Sequence, residues 1–197
     1  WRRNQDKYIY IRSDPSVYRN LHLNNKIATS LDFSLSSNIG ITGLGFEYSK
    51  IYLRSNNLGN RNREISNAFI EHLFYLFDSK IDITIGGSYN NYSDFGKYFY
   101  PGVDLGIKLS NNIKFYSSFG STFRIPTYTD LFYQDKTTIG NSTLSPESAK
   151  NYEFGFRINK NMRLYNISFF KRNSENLIDY VKDNAEDLWQ ARNISSL

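Results

Sequence analysis

Ile27-Ala28-Thr29-Ser30-Leu31-Asp32-Phe33-Ser34-Leu35 is the stretch that decides the fold. Taken two residues at a time, Ile27, Thr29, Leu31, Phe33 and Leu35 share one face while Ala28, Ser30, Asp32 and Ser34 share the other. This is the alternation of a strand with one apolar and one polar side. The pattern recurs along the chain: Ile81, Ile83 and Ile85 oppose Asp82, Thr84 and Gly86, and Val103, Leu105, Ile107 and Leu109 oppose Asp104, Gly106 and Lys108. Tyr152, Phe154, Phe156 and Ile158 oppose Asn151, Glu153, Gly155 and Arg157, so the second face carries full charges. Helical spacing fits none of these segments. Ile65 to Phe77 loads both faces with Phe69, Ile70, Leu73, Phe74, Tyr75, Leu76 and Phe77. A helix competes there, and the aromatic content and the neighbouring strands favour a strand.

The connections set the architecture. Ser36-Ser37-Asn38, Asp78-Ser79-Lys80, Asn111-Asn112 and Asn159-Lys160-Asn161 are tight-turn chemistry. Longer connections are expected near 13–20, 54–63, 90–97, 123–149 and 173–190, so that short and long alternate without exception along roughly ten strands. Strands of about ten residues, short turns on one side and long loops on the other define an all-β fold: an antiparallel, up-and-down transmembrane β-barrel fragment. A soluble sandwich or long meander is the alternative. No linker or repeat divides residues 1–197, which are expected to be one domain.

Composition agrees. The 197 residues include 16 Tyr and 15 Phe yet have a mean hydropathy of −0.55, as expected where only every second strand residue meets lipid. No apolar run is long enough for a transmembrane helix. Without cysteine, disulfides, thiolate metal sites and cysteine nucleophiles are excluded. The chain starts at Trp1 with no basic-then-apolar leader and is expected to be an internal piece of a longer protein. The net charge of +5 raises nucleic acid as a partner, but the cations are scattered. The densest groups, Arg61-Asn62-Arg63 and Lys171-Arg172, are expected in solvated loops.

Chemistry-bearing motifs are few. His22 and His72 lack a partner at metal-ligand spacing. A triad through Glu71 and His72 has no nucleophile context. Gly40, Gly43, Gly45 and Gly86-Gly87 lie inside strand patterns, where glycine marks bends or close backbone approach rather than a phosphate cradle. No catalytic, cofactor-binding or metal residue is assigned, and no enzyme activity is expected.

The segment 112–158 is more specific. It runs Phe119-Gly120, then Phe123-Arg124-Ile125-Pro126-Thr127-Tyr128-Thr129-Asp130-Leu131-Phe132-Tyr133, then Gly140-Asn141-Ser142-Thr143-Leu144-Ser145-Pro146-Glu147 and Tyr152-Glu153-Phe154-Gly155. In this order the motifs closely resemble the late barrel strands of TonB-dependent receptors, departing at Ser142, where the family usually has Pro. Tyr98-Phe99-Tyr100-Pro101-Gly102 and Phe169-Phe170-Lys171-Arg172 also resemble Bacteroides-type members assigned to cobalamin uptake. The resemblance implies a bacterial outer-membrane location and TonB-energised uptake of a scarce nutrient such as a corrinoid or ferric siderophore. It implies contact with TonB through a plug that, with the terminal strands, lies outside this stretch, and contact with outer-membrane lipid but not nucleic acid. No cofactor is implied.

Pro126 should end a strand, since it lacks a ladder N–H, and Thr127 or Thr129 can cap a short helical turn through Phe132. Arg124, Pro126, Thr127, Leu131, Asn141, Pro146 and Glu147 are therefore expected to build a folded loop. Tyr128, Tyr133 and Trp189 are candidates for ligand contact or for an interfacial girdle. The rival functions are an outer-membrane barrel enzyme of lipase or protease type and a soluble basic β-protein that binds nucleic acid.

Overall fold

The computed structural model describes residues 1–196. Eleven strands form a single sheet: β1 (Arg2–Ile9), β2 (Arg19–Ser37), β3 (Gly40–Ser55), β4 (Gly59–Leu76), β5 (Ile81–Tyr92), β6 (Gly96–Lys108), β7 (Ile113–Arg124), β8 (Thr138–Ile139), β9 (Glu147–Lys160), β10 (Arg163–Val181) and β11 (Trp189–Ser196). A five-residue helix, α1 (Tyr128–Phe132), lies between β7 and β8. Strand order is sequence order except for β8, which leaves the wall and pairs in parallel with β11. All other ladders are antiparallel, so each strand of the wall is zipped to the wall strand before it, β9 to β7 across the excursion of β8. Ile65 to Phe77 is strand through Leu76, not helix.

Registers define the two faces. Directly paired residues share a face. The rows Leu31–Phe46–Ala68–Tyr89–Phe99 and Ser117–Phe154–Phe169 are apolar or uncharged and lie outward. Ser30–Glu47–Asn67–Asn90–Tyr98 and Ser118–Glu153 lie on the opposite, lumenal face. Lys26–Glu47, at 3.0 Å, and Lys114–Asp82, at 2.7 Å, pair within that face. Outward Leu31, Phe33, Phe46, Ile70, Phe154 and Phe169 are exposed. A one-layer wall has no second layer to cover them, and an apolar face of that extent is matched by lipid. Ring pairs Phe115–Phe156, Phe119–Tyr152 and Phe154–Phe169, with centroids 5.1–5.4 Å apart, knit this side across strands. In β4 the doubly loaded stretch is shared out: Ile70, Phe74 and Leu76 point outward while Phe69, Leu73 and Tyr75 point to the lumen. Among the described residues, no helix is long and apolar enough to cross a membrane.

The tight turns sit together at one end, at 38–39, 77–80, 109–112 and 161–162. Asn161 and Met162, at φ 52° and 59°, make the left-handed two-residue turn that matches strand twist. Gly40, at φ 143°, starts β3 where an added Cβ would fall 1.8 Å from the Leu73 carbonyl oxygen, so only glycine allows the β3–β4 approach.

The opposite end departs from strict short–long alternation. Connections 10–18, 125–146 and 182–188 are long, but those after β3 and β5 are only residues 56–58 and 93–95. Arg61-Asn62-Arg63 and Lys171-Arg172 lie in β4 and β10, and β10 runs through 173–181. The cause is that β3 to β6 keep their ladders beyond the apolar band: Tyr52–Asn62, Leu53–Arg61 and Arg54–Asn60 remain paired though their composition is polar. Polar residues that resemble loop in sequence are here strand standing in water.

Candidate functional site

Burial is concentrated at the long-loop end, where residues 125–146 fold back over the lumenal face. Pro126 stops β7 and is fully buried. Thr127 then caps α1: its hydroxyl accepts from the Asp130 N–H at 3.1 Å, and the Asp130 carboxylate accepts from the Thr127 N–H at 2.9 Å. This reciprocal box satisfies two donors that a short helix leaves open. Arg124 bridges Asp130, at 3.1 Å, and Glu147, at 2.5 Å, tying together the two ends of the loop. Glu147 also accepts from the Ile178 N–H of β10 at 2.7 Å. Leu131 packs with Leu144 and Ala191, with Phe95, Phe132, Ile178 and Tyr180 around them. Asn141 donates its N–H to the Asp130 carbonyl, and its side chain accepts from Thr143, so the turn around Ser142 holds without proline. Half-buried Pro146 leads into β9. Gly140 is required here: a Cβ would come within 2.8 Å of the Asp130 carbonyl oxygen.

Two arginines from β4 fasten this loop. Arg63 donates to Asp94 at 2.8 Å and to the Pro126 carbonyl at 3.1 Å, between the rings of Phe95 and Tyr128. Arg61 lies over Phe132, 3.7 Å from its centroid. Both belong to the run expected to be solvated loop charge, and Arg63 is buried. On the far side, Asn57 donates to the Gln134 carbonyl at 2.8 Å.

Beyond α1 the loop closes one wall of a cleft of about 450 Å³, lined by Tyr8, Tyr10, Val17, Tyr18, Tyr133, Asp135, Lys136 and Thr137. The β1 and β2 registers put Tyr8 and Tyr18 on the lumenal side. A hydrogen-bond chain spans the cleft: Asn20 donates to the Tyr18 hydroxyl at 3.1 Å, Tyr18 and Tyr133 share a 3.1 Å contact, and Tyr133 donates to Asp135 at 2.9 Å. The bond to Tyr18, burial and the bond to Asp135 all push the Tyr133 phenol above its ordinary range. Burial works against the Asp135 carboxylate, but donors from Thr137, Tyr133 and Thr138 outweigh it and hold this group below the ordinary carboxylate range. The cleft thus presents aromatic faces with a Tyr133 phenol that stays protonated at neutral pH. It suits a partly apolar ligand that also accepts and donates hydrogen bonds.

The three ligand-contact candidates part company. Tyr133 lines the cleft. Tyr128 turns to Arg63, with its hydroxyl buried and unpartnered among the described residues; burial raises its phenol. Trp189 opens β11, donating to the Thr137 carbonyl at 2.8 Å under Lys182. Tyr8, Tyr10 and Tyr18 carry no motif and reach Tyr133 from 115 positions away in the case of Tyr18, so only topology reveals them. Glu71 and His72 occupy opposite faces of β4, and His72 bonds Thr42 at 2.8 Å. No cluster of metal-ligand type exists among the described residues.

The family described as "TonB dependent receptor-like, beta-barrel" matches residues 1–196. A vitamin B12 transporter of Vibrio vulnificus (strain YJ016) is 32% identical over 104 residues, which is 53% of this chain and 16% of that protein. The siderophore receptor PirA from Pseudomonas aeruginosa superposes with a TM-score of 0.78 at 19% identity, over 90% of this chain and 35% of the receptor. The ferric enterobactin receptor PfeA from Pseudomonas aeruginosa, solved with enterobactin, gives 0.73 at 14% identity, over 91% and 32%. The chain therefore spans about a third or less of these relatives' length.

Proposed function

The chain belongs to the TonB-dependent receptor β-barrel family, a family of outer-membrane transport receptors, and from that membership we propose that residues 1–197 form part of the wall of a receptor for TonB-energised uptake. In this reading the outward faces meet lipid, the lumenal faces enclose the path, and the plug that contacts TonB and the remaining strands come from the rest of the protein. The wall itself does no covalent chemistry. Its part in transport is capture: the cleft around Tyr133 offers some of the converging contacts that hold a nutrient before the plug moves. The vitamin B12 transporter and the siderophore receptors among its relatives support a corrinoid as first ligand and a ferric siderophore as second.

The observation that carries this proposal is the loop 125–146. It is folded by Arg124, Thr127, Leu131 and Asn141 into a rigid lobe on the lumenal mouth of a wall whose other face is apolar. Shortening residues 127–145 in the intact receptor should leave the barrel in the outer membrane and reduce growth on limiting cobalamin, or failing that on chelated iron. Normal growth on both, with surface expression verified, would overturn the assignment of capture to this loop.

A further inference from the structure

The polar groups of the cleft are wired in one direction, and the direction starts from Asp135. Its Oδ1 accepts from the Thr137 N–H at 2.8 Å, the Thr137 hydroxyl at 3.0 Å and the Thr138 N–H at 2.8 Å. Its Oδ2 accepts from the Tyr133 hydroxyl at 2.9 Å. A phenol has a single proton to give, and that of Tyr133 goes to Asp135. In the 3.1 Å contact between the two phenols Tyr18 is therefore the donor and Tyr133 the acceptor. Tyr18 in turn accepts from the side-chain amide of buried Asn20 at 3.1 Å. The carboxyl of Asp135, held below the ordinary range, is ionised at neutral pH and has no proton with which to reverse the series.

Both phenol protons of the pair are thus spent within the series, and what the pair leaves over for a ligand is lone pairs. The rest of the cleft is not bound in this way. Tyr8, Tyr10 and exposed Lys136 line it, and phenol and ammonium groups can donate, so a ligand's acceptors find partners there. A donor on the ligand finds its partner at Tyr18 and Tyr133.

Resting on the reading of this cleft as a capture surface, we propose that Asp135 is a specificity-determining residue: it fixes the polarity of the Tyr18–Tyr133 pair, so that this side of the cleft takes a ligand group that donates hydrogen bonds. The class is an N–H or O–H donor beside an apolar surface, such as a carboxamide. An ester or carboxylate oxygen in the same place would meet lone pairs only, and a site built for a donor rejects the analogue that lacks it. Of the two ligand classes proposed above, a corrinoid bearing side-chain amides meets this demand, and a ferric chelate presenting only acceptor oxygens does not.

The test measures the affinity of the intact receptor, in uncharged detergent, for two probes: a corrinoid with primary-amide side chains and the same corrinoid with methyl-ester side chains. Both carry carbonyl acceptors, and only the amide donates. Titration calorimetry gives the ratio of the two dissociation constants, and comparing that ratio between parent and variants cancels partition of the ester into micelles. In Asp135→Asn the remaining oxygen can keep the Thr137 and Thr138 donors, while an NH2 group replaces Oδ2, donates to Tyr133 and frees the phenol proton. The preference for the amide should fall by roughly three- to tenfold, the range of one net hydrogen bond. Tyr133→Phe removes the acceptor and should lower the preference as far, which keeps the test decisive should Asp135→Asn fold poorly. Tyr18→Phe should leave the preference at or above that of the parent, since Tyr133 still gives its proton to Asp135 and loses only a competitor for its lone pairs. A purely structural role for Asp135 would weaken both probes together and leave the ratio unmoved. An unchanged ratio in a folded Asp135→Asn or Tyr133→Phe variant, or an equal loss of preference in Tyr18→Phe, would overturn the polarity and leave the capture reading intact. Binding of neither probe by the parent would overturn the corrinoid reading and the specificity assignment with it.

Discussion

Replacing Phe154 with arginine tests the face assignment directly. Phe154 lies on the outward row Ser117–Phe154–Phe169, stacked on Phe169 with centroids 5.3 Å apart. Six residues separate it from Lys160 at the turn end of β9, which at roughly 3.3 Å per residue and 40° tilt places it about 15 Å up a band about 25 Å tall, near the midplane. An arginine there costs about 2–4 kcal/mol on a lipid-facing wall. Losing the ring contact adds about 0.5–1.5 kcal/mol. The expected destabilisation of Phe154→Arg is therefore about 3–5 kcal/mol. Glu153, one residue away, faces the wet lumen and makes a single 3.3 Å contact with the Tyr116 hydroxyl. Glu153→Lys should cost less than about 1 kcal/mol, a value typical of exposed pairs. The assay is urea unfolding of the intact receptor refolded into detergent micelles. Equal costs for the two substitutions, or a larger one at Glu153, would refute the assigned faces.

Two further outcomes follow from the loop lobe. Arg63→Leu leaves Asp94 and the Pro126 carbonyl without their donor; because Asp94 keeps part of its exposure, the loss should be about 2–3 kcal/mol, seen as faster proteolytic nicking within 125–146, and an unchanged rate would remove Arg63 from its fastening role. Asp135 has a depressed carboxyl, so its contribution is fully present above the ordinary aspartate value of about 3.9 and is lost as pH falls through the lower folded value; protection of the Thr137 and Thr138 amides against exchange should be flat from neutral pH to about 4 and fall only below it, and loss of protection between pH 7 and 5 would assign it to another group.

The wall was legible in the sequence because one residue in two decides a strand's face. Ile27 to Leu35 and Tyr152 to Ile158 alternate without a break, and their pairing follows from tight turns. Reading polarity as loop failed at Arg61, Asn62, Arg63, Asn90 and Asn91. A ladder can outrun the membrane, and once in water its side chains carry no apolar signal although its backbone bonds persist. The lobe was half legible. Pro126 and the Thr127-to-Asp130 spacing announce a strand stop and a capped helix, since both act within four residues. The partners that fasten it come from elsewhere in the wall, Arg61 and Arg63 from β4 and Asn57 and Tyr18 from the connections beside β3 and β2, and no local pattern carries their identity.

The two-residue parallel pairing of β8 with β11 has a consequence in time. Every ladder of the wall joins a strand to the one just before it, apart from β7 with β9, which is interrupted only by the lobe itself. Such pairings involve short chain closures and can form in succession as the chain is delivered. Thr138 pairs with Trp189 across 51 positions, with β9 and β10 between them in the chain, so this closure is longer than any strand-to-strand closure of the wall and is expected to follow them. The lobe's backbone bonds to β11 are therefore expected to form after the wall that supports them. A chain stalled before β11 arrives would carry a zipped sheet with an unfinished mouth, so the capture surface matures only on a wall already committed to its register.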